Sequence, residues 1–428
     1  MPPEVKTISL PVGRGRDVVP FLESLGLVSR VPPIRSSDYE VILSNPFHYY
    51  LARRLGLMQR LKWSKALSRG SWTHKAFELD DFSHPSPLTV GYWKAWDDRV
   101  AELKVSCGSM GIVGQSRESI LAREEKDAKC ALAWYSAAAS VLLPRYGSFR
   151  SFMAEPYWQI LGREVRMTYK DPRYPQTPLV AMLDGLVYHR KHNTLWAVDL
   201  KTCEESPLVR GATCSIEFQT QHYSWVVQNL VKAGIVQAKF NLPPDVRYEG
   251  MMHLILQKPS IELSSLDRDC RLEAFTPTRG KNKGVTRMEK VYYGEPRLEN
   301  YLARCKSWYL GEGDYSHLAE ERKRKEVGPP VNISFSTDIL DEEGMTEYNN
   351  RLSLIYDHAT RPAYPFAFCR STSALRQFGS LHPMYPFSVV PVADWAEVME
   401  KDGFMIAHRD EEGVFTDGFD PPSREEAT

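Results

Sequence analysis

Residues 179–202 read LVAMLDGLVYHRKHNTLWAVDLKT. Two apolar runs flank the polar segment Arg190-Lys-His-Asn193, a pattern typical of two strands joined by a hairpin turn. The pattern predicts strands over Leu179–His189 and Thr194–Thr202. Each strand carries an acidic residue near the point where its apolar run is interrupted, so the hairpin also contains candidate functional residues.

Asp184, Asp199 and Lys201 are the polar residues of interest in this hairpin. Alternate residues of a strand share a face, so Asp199 and Lys201 project together while Leu200 turns into the core. Pairing of the two strands brings Asp184 to the same place. The alternative is a surface ion pair at a strand end, because Asp-x-Lys alone is a common sequence.

Two carboxylates beside a lysine have a defined chemical use. Mg²⁺ prefers oxygen ligands and keeps several of its waters. A metal held by Asp184 and Asp199 can lower the pKa of a bound water and neutralise charge that develops on a phosphoryl group. Lys201 can orient that water or stabilise the transition state electrostatically.

Four further residues extend this hypothesis. His74, in Gly70-Ser-Trp-Thr-His74, is a candidate metal ligand; the alternative is a structural histidine with satisfied hydrogen bonds. Gln219 and Tyr223 are four residues apart and share a helix face, where both can bind a phosphate oxygen or a water; the alternative is an ordinary amphipathic face. Glu155, on a predicted strand over Phe152–Ile160, is a candidate to assist the metal site or to support it.

The remaining pattern predicts the fold class. Residues 44–80, Ser116–Leu143 and Glu217–Ala233 are predicted helices, and Tyr248–Gln257 is a predicted strand. Helices first, strands in the middle and a helix afterwards indicate an α/β fold in which helices flank a sheet.

Composition sets outer bounds on function. The chain has 428 residues, 43% of them hydrophobic and 25% charged, which indicates a globular protein with a large core and argues against general disorder. The net charge of zero neither favours nor excludes nucleic acid, because local patches determine binding. Seven scattered cysteines without a Cys-x-x-Cys motif argue against a disulfide framework or a zinc knuckle and favour a cytoplasm-like compartment. We expect no signal peptide and no membrane span.

Residues 41–75 form a basic stretch with no Asp or Glu. It contains the candidate nucleic-acid-binding residues Arg53, Arg54, Lys62 and Arg69, interleaved with aromatic residues that include Tyr49, Tyr50 and Trp72. This mixture predicts a groove that follows a nucleic-acid backbone and offers stacking platforms. The alternative is a solvated helix face whose aromatic residues belong to the core.

The order of these motifs resembles the RecB-like branch of the PD-(D/E)xK nuclease superfamily, which is related to CRISPR-associated exonucleases. In that branch a helical histidine precedes a Glu-bearing strand, an Asp, an Asp/Glu-x-Lys strand and a Gln-x-x-x-Tyr helix. The matching positions here are His74, Glu155, Asp184, Asp199, Lys201, Gln219 and Tyr223. The resemblance covers roughly residues 40–260.

The resemblance implies a restriction-endonuclease-like mixed central sheet flanked by helices. It also implies Mg²⁺ or Mn²⁺ bound by His74, Asp184, Asp199 and the carbonyl of Leu200, with Gln219 and Tyr223 directing the DNA backbone. No iron–sulfur cluster is expected, because no cysteine precedes Cys107. No helicase phosphate loop is present, so a helicase or recombination partner would be a separate chain.

The implied domain organisation has four parts. We expect an irregular lead-in over residues 1–38, a nuclease core with N-terminal helices over 39–260, a C-terminal extension over 261–408 and a flexible acidic tail over 409–428.

The implied function is a metal-dependent deoxyribonuclease. We expect an exonuclease that acts on DNA ends or single strands in recombination, repair or phage DNA processing, in the host cytoplasm if phage-encoded. A structure- or sequence-specific endonuclease and a catalytically silent DNA-binding scaffold are the alternatives.

Overall fold

The computed structural model describes residues 31–44, 46–59, 65–80, 82, 88–109, 117–143, 145–214, 216–276, 279, 286–325, 327–337, 342–360, 376–377, 380–381, 397, 404–409 and 415–420. The strands are β1 (Ile34–Arg35), β2 (Leu57–Gln59), β3 (Leu142–Leu143), β4 (Gly147–Ser148), β5 (Trp158–Tyr169), β6 (Leu179–His189), β7 (Thr194–Cys203), β8 (Arg247–Gln257), β9 (Asp269–Phe275), β10 (Arg287–Tyr293), β11 (Val331–Ser336), β12 (Arg376–Gln377), β13 (Ser380–Leu381), β14 (Phe404–Arg409) and β15 (Phe415–Asp420). The α-helices are α1 (Ser36–Ser44), α2 (Pro46–Tyr49), α3 (Lys65–Leu79), α4 (Leu88–Ser109), α5 (Arg117–Ala138), α6 (Phe149–Met153), α7 (Pro207–Cys214), α8 (Phe218–Lys232), α9 (Ile235–Phe240), α10 (Leu298–Leu310), α11 (Ser316–Lys325) and α12 (Glu342–Thr360).

A six-stranded mixed sheet forms the centre of the fold. Its order is β1–β6–β7–β8–β11, with β5 paired to β6 as well. β7 and β8 are parallel, β1 is parallel to β6, and the other pairs are antiparallel. The predicted hairpin is confirmed, since β6 and β7 have almost the predicted bounds and pair antiparallel.

Helices cover both faces of this sheet, which explains why β6, β7 and β8 are nearly continuous apolar runs. On one face, α3, α5 and α10 pack against residues such as Val198 and Leu254. On the other face, α1, α8 and α12 pack against residues such as Leu183 and Ala197. The predicted architecture, a central mixed sheet flanked by helices, is therefore confirmed.

The sheet divides at β6. One edge of β6 pairs with β5 along nearly its whole length. The other edge pairs with β7 only as far as the Gly185–Val198 pair, and with β1 only at Leu179 and Val180. Asp184 and Asp199 are the next opposed positions after Gly185–Val198, so the strands diverge where the two acidic residues lie.

Several predicted elements are wrong in their extent. The predicted helix over residues 44–80 is interrupted: α1 already begins at Ser36, and β2 precedes α3. Gly56, with a φ of 77°, stands between the π-helical turn Tyr50–Arg54 and β2, a conformation that glycine adopts readily. The expectation of an irregular lead-in fails for residues 34–38, which form β1 and the start of α1. Residues 1–30 lie outside the described part of the chain.

Other boundaries shift as well. α5 ends at Ala138, five residues before its predicted end, and α4 was not predicted from the sequence. The predicted strand over Phe152–Ile160 is wrong in its first half, because Ser148 caps α6 by accepting a hydrogen bond from the amide of Ser151. Strand β5 begins only at Trp158.

The predicted flexible tail over residues 409–428 is wrong for Phe415–Asp420. These residues form β15, which pairs antiparallel with β14, and β14 pairs in turn with β2 near the N-terminal helices. Among the described helices, none combines the length and the apolar character needed to cross a membrane.

Candidate active site

A histidine and two carboxylates meet where the sheet divides. The imidazole Nδ1 of His74, on α3, lies 3.0 Å from Oδ1 of Asp184, on β6. Nitrogen and oxygen atoms of His74, Glu164 and Asp184 all lie within 4.8 Å of one another. These are ligand types that divalent cations bind, and the group draws on three separate elements: α3, β5 and β6.

Glu164 reaches this group through an irregular stretch of β5. The pairs Arg163–Gly185 and Val165–Leu183 flank it, which places Glu164 opposite Asp184. Its φ of 48° is unusual for a residue other than glycine. Backbone strain of this kind is concentrated at functional sites, and here it accompanies a carboxylate that faces another carboxylate.

A second group of side chains adjoins the first. Lys201 Nζ lies 3.1 Å from Oδ2 of Asp199 and also donates to Oε1 of Gln219. The amide of Gln219 donates to the Tyr223 hydroxyl at 3.1 Å and, more weakly, to Oδ1 of Asp199 at 3.4 Å. Gln219 and Tyr223 share one face of α8, as their spacing predicts.

The backbone of Leu200 joins the two groups. Its amide donates to Oδ2 of Asp184 at 2.6 Å, while its side chain is buried in the core. Because Asp199 and Lys201 flank Leu200, this bond ties both of them to Asp184. The structure therefore brings together His74, Asp184, Asp199 and Lys201, and it adds Glu164.

Charges in the site reinforce one another. Burial would raise the pKa of Asp199, but Lys201 and His253 outweigh it and lower the pKa to about 2. Burial would lower the pKa of Lys201, but the Asp199 carboxylate outweighs it and the pKa is raised. Asp199 and Lys201 are therefore both charged near neutral pH.

His74 and Glu164 both have raised pKa values. Burial favours neutral imidazole, but the hydrogen bond and charge of Asp184 outweigh it, so the pKa of His74 is raised. Burial, together with the charge of Asp184, raises the pKa of Glu164. A carboxylate whose charge is destabilised by a neighbouring carboxylate is an environment that a divalent cation relieves, so these residues fit a Mg²⁺ or Mn²⁺ ion.

Glu155 does not join the site. It is exposed in the turn between α6 and β5, three residues before the strand begins. The prediction that placed it on a strand is wrong, because the end of α6 and the turn after it occupy residues 152–157 of that segment. Glu164 is the acidic residue of β5 that lies next to Asp184.

Arg69 is an interior residue. Its Nε lies 2.6 Å from Oδ1 of Asp127, and its two terminal nitrogens bind both oxygens of Glu262 at 2.9 and 2.6 Å. Only 6% of Arg69 is exposed. The prediction that Arg69 contacts nucleic acid is therefore wrong, since its guanidinium joins α3 to α5 and to the segment after β8.

The other described residues of the basic stretch are also largely buried or bound to neighbouring side chains. Tyr49, Tyr50 and Trp72 are buried, so the prediction that they form stacking platforms is wrong. Arg53 lies 2.6 Å from Asp38, and the guanidinium of Arg54 lies over the ring of Tyr50. Lys62 lies outside the described residues. Nucleic-acid contact by Arg53 and Arg54 stays a prediction.

His253 contacts the site although it was not predicted from the sequence. It is fully buried on β8, and its Nδ1 lies 3.1 Å from Oδ2 of Asp199. The available signal was one ionisable residue inside the apolar run Met251-Met-His-Leu-Ile255. Such a residue needs a polar partner, but the sequence does not say which one.

Comparison with known proteins agrees with this geometry. No curated protein matches the chain significantly. The family model of the PD-(D/E)XK nuclease superfamily matches residues 36–273, more than half of the chain. The match extends from α1 into β9 and includes every site residue described above. The chain therefore belongs to the PD-(D/E)XK nuclease superfamily.

Proposed function

We propose that the protein is a metal-dependent deoxyribonuclease that shortens DNA from ends or single strands. The observation that carries this proposal is the convergence of His74, Glu164 and Asp184 beside the Asp199–Lys201 pair, at the point where β6 and β7 separate. Membership of a nuclease superfamily supports the reaction class, phosphodiester hydrolysis.

His74, Glu164, Asp184 and Asp199 are the residues proposed to hold Mg²⁺ or Mn²⁺, with the Leu200 carbonyl as a further ligand. Such an ion, when bound, supplies an activated water and neutralises charge on the phosphoryl group. The side chains of the chain itself set the geometry: the amide of Leu200 fixes the rotamer of Asp184, and Lys201 restrains Asp199.

Lys201 supplies the positive charge next to the reacting phosphate. Its ammonium group has three donors, and Asp199 and Gln219 occupy two of them. The remaining donor can face a water or a phosphate oxygen. Because the charge of Asp199 raises the pKa of Lys201, the amine stays protonated while negative charge develops on the phosphate.

A cleft beside Gln219 and Tyr223 fits the substrate backbone. It has a volume of about 330 Å³, and its lining includes Arg35, Ser36 and Ser37 at the start of α1. Its lining residues include one arginine and no acidic residue. The cleft therefore lacks the negative charge of the adjacent acidic site. This supports a path along the cleft by which a phosphodiester reaches Asp184.

The choice of an exonuclease rests on the motif order, which resembles that of the RecB-like branch. Recombination, repair or phage DNA processing, with any helicase as a separate chain, follows from the same resemblance. Free thiols are found at Cys130, Cys203, Cys214, Cys270 and Cys305, which supports a reducing compartment such as the cytoplasm.

Linear and circular DNA distinguish the alternatives. In Mg²⁺, we expect the protein to degrade end-labelled linear DNA and to leave covalently closed circles intact, and a chelator should stop the reaction. Gel analysis of both substrates over time makes the measurement. Equal cutting of the circles would indicate an endonuclease, and inactivity in both Mg²⁺ and Mn²⁺ would indicate a silent scaffold.

A further inference from the structure

A buried chain of hydrogen bonds crosses three neighbouring strands. From Asp199 on β7 it passes to His253 on β8 and ends at Ser336 on β11, with both contacts at 3.1 Å. All three residues are buried, at 3%, 0% and 3% exposure. These hydrogen bonds lead away from the proposed metal ligands into the interior, so solvent does not share in these contacts.

An irregularity in β8 creates this alignment. Leu195 pairs with Tyr248, but Trp196 pairs with Gly250, so β8 carries one extra residue at Glu249. After this bulge Asp199 pairs with His253; with the earlier offset it would pair with Met252. A shift of one residue turns the other face of a strand to a given position, so the bulge determines that an imidazole meets Asp199.

Gly250 is the residue that permits the bulge. Its φ is 145°, and a Cβ atom there would lie 2.2 Å from the carbonyl oxygen of Ser336. Glycine therefore lets β8 approach β11 at the residue whose hydroxyl binds His253. The bulge, the glycine and the serine together build one local arrangement around the imidazole.

Hydrogen-bond chemistry determines which atoms donate and which accept in the series Asp199–His253–Ser336. The Asp199 carboxylate is charged and can only accept, so Nδ1 of His253 donates to it. In neutral imidazole Nε2 then accepts from the Ser336 hydroxyl, which fixes the tautomer and the ring orientation. The two oxygens of Asp199 become unequal: Oδ2 receives Lys201 and His253, while the only bond to Oδ1 from the described part of the chain is the long 3.4 Å bond from Gln219.

We propose that His253 is a positioning residue that engages Oδ2 of Asp199 and so presents Oδ1 to the metal ion. The proposal rests on the nuclease function proposed above and deepens it. A histidine with only a packing role would need satisfied nitrogens, but it would not need to contact a carboxylate of the site. Partners that orient metal ligands in this way influence metal affinity without touching the ion.

Calorimetric titration with Mn²⁺, without DNA, tests this role. We expect His253→Leu to weaken Mn²⁺ binding by about 10–100-fold. We expect His253→Asn, whose amide can still donate to Asp199, to retain most of the affinity. Circular dichroism and urea unfolding establish that the variants are folded. Folded His253→Leu with wild-type Mn²⁺ affinity would overturn the proposal.

Two serines of β11 provide a matched pair. Ser336 binds His253, whereas the hydroxyl of Ser334 donates to the carbonyl of Gly211 at 3.3 Å. We expect Ser336→Ala to weaken Mn²⁺ binding and Ser334→Ala to leave it unchanged. If His253→Leu does not fold, equal Mn²⁺ affinities of these two serine variants overturn the positioning role of the buried hydrogen bonds. Absence of Mn²⁺ binding by the wild-type protein would instead overturn the proposed function itself.

Discussion

Lys201→Ala is expected to lower the rate of DNA cleavage by about 10²–10³-fold, the usual loss when one preorganised transition-state donor is removed. The ammonium group lies 3.1 Å from Asp199 and also binds Gln219, and among the described residues no other Lys or Arg forms an ion pair with Asp184 or Asp199. A water or a neighbouring side chain does not replace this charge. Single-turnover cleavage of labelled DNA measures the effect.

DNA binding should survive this change. We expect fluorescence anisotropy in Ca²⁺ to give Lys201→Ala nearly the wild-type affinity, because a single phosphate contact is a small part of the backbone interaction. Lys201→Met, which preserves more of the packing, should behave in the same way. Lys232→Ala is the control, since Lys232 lies in the last turn of α8, about 20 Å along the helix from Gln219. Cleavage by Lys201→Ala at the wild-type rate would refute the role given to the amine.

Asp184→Asn is expected to remove most of the activity that depends on metal. The carboxylate contacts His74 through Oδ1 and accepts from the amide of Leu200 through Oδ2. Asparagine preserves the shape and one acceptor, so the main change is the loss of a negative charge. Charge stabilisation by a metal ion contributes several kcal/mol, so we expect a fall of roughly 10³-fold.

The dependence of the rate on Mg²⁺ concentration distinguishes this effect from misfolding. We expect higher Mg²⁺ to restore little of the activity of Asp184→Asn. Glu78→Gln removes a nearby carboxylate that pairs with Lys75 and is not part of the His74–Glu164–Asp184 group, so it should retain wild-type behaviour. An Asp184→Asn protein with the wild-type rate and Mg²⁺ dependence would exclude Asp184 as a ligand.

The centre of the fold could be predicted from the sequence because it is built from strong local patterns. The hairpin over residues 179–202 combines apolar runs with a polar turn, and α8 and β8 lie within one residue of their predicted bounds. A strand geometry with period two then brings Asp199 and Lys201 together on one face. The geometry around Asp184 follows from the same pairing.

Other features depend on tertiary contacts that leave no local pattern. Glu164 lies in a strand with a bulge and a left-handed residue, so no alternation marks it. Whether His253 meets Asp199 depends on a one-residue shift at Gly250. The basic stretch gave no information on which side chains turn inward, and Arg69 turned out to bind Asp127 and Glu262 in the interior.

Anomalous diffraction from wild-type crystals grown with Mn²⁺ would test the proposed metal site by locating the ion directly. The geometry predicts one peak within coordination distance of His74, Glu164, Asp184 and Oδ1 of Asp199, with Oδ2 of Asp199 still bound to Lys201 and His253. A map with saturating Mn²⁺ and no peak between these residues, or with the ion held elsewhere on the protein, would contradict it.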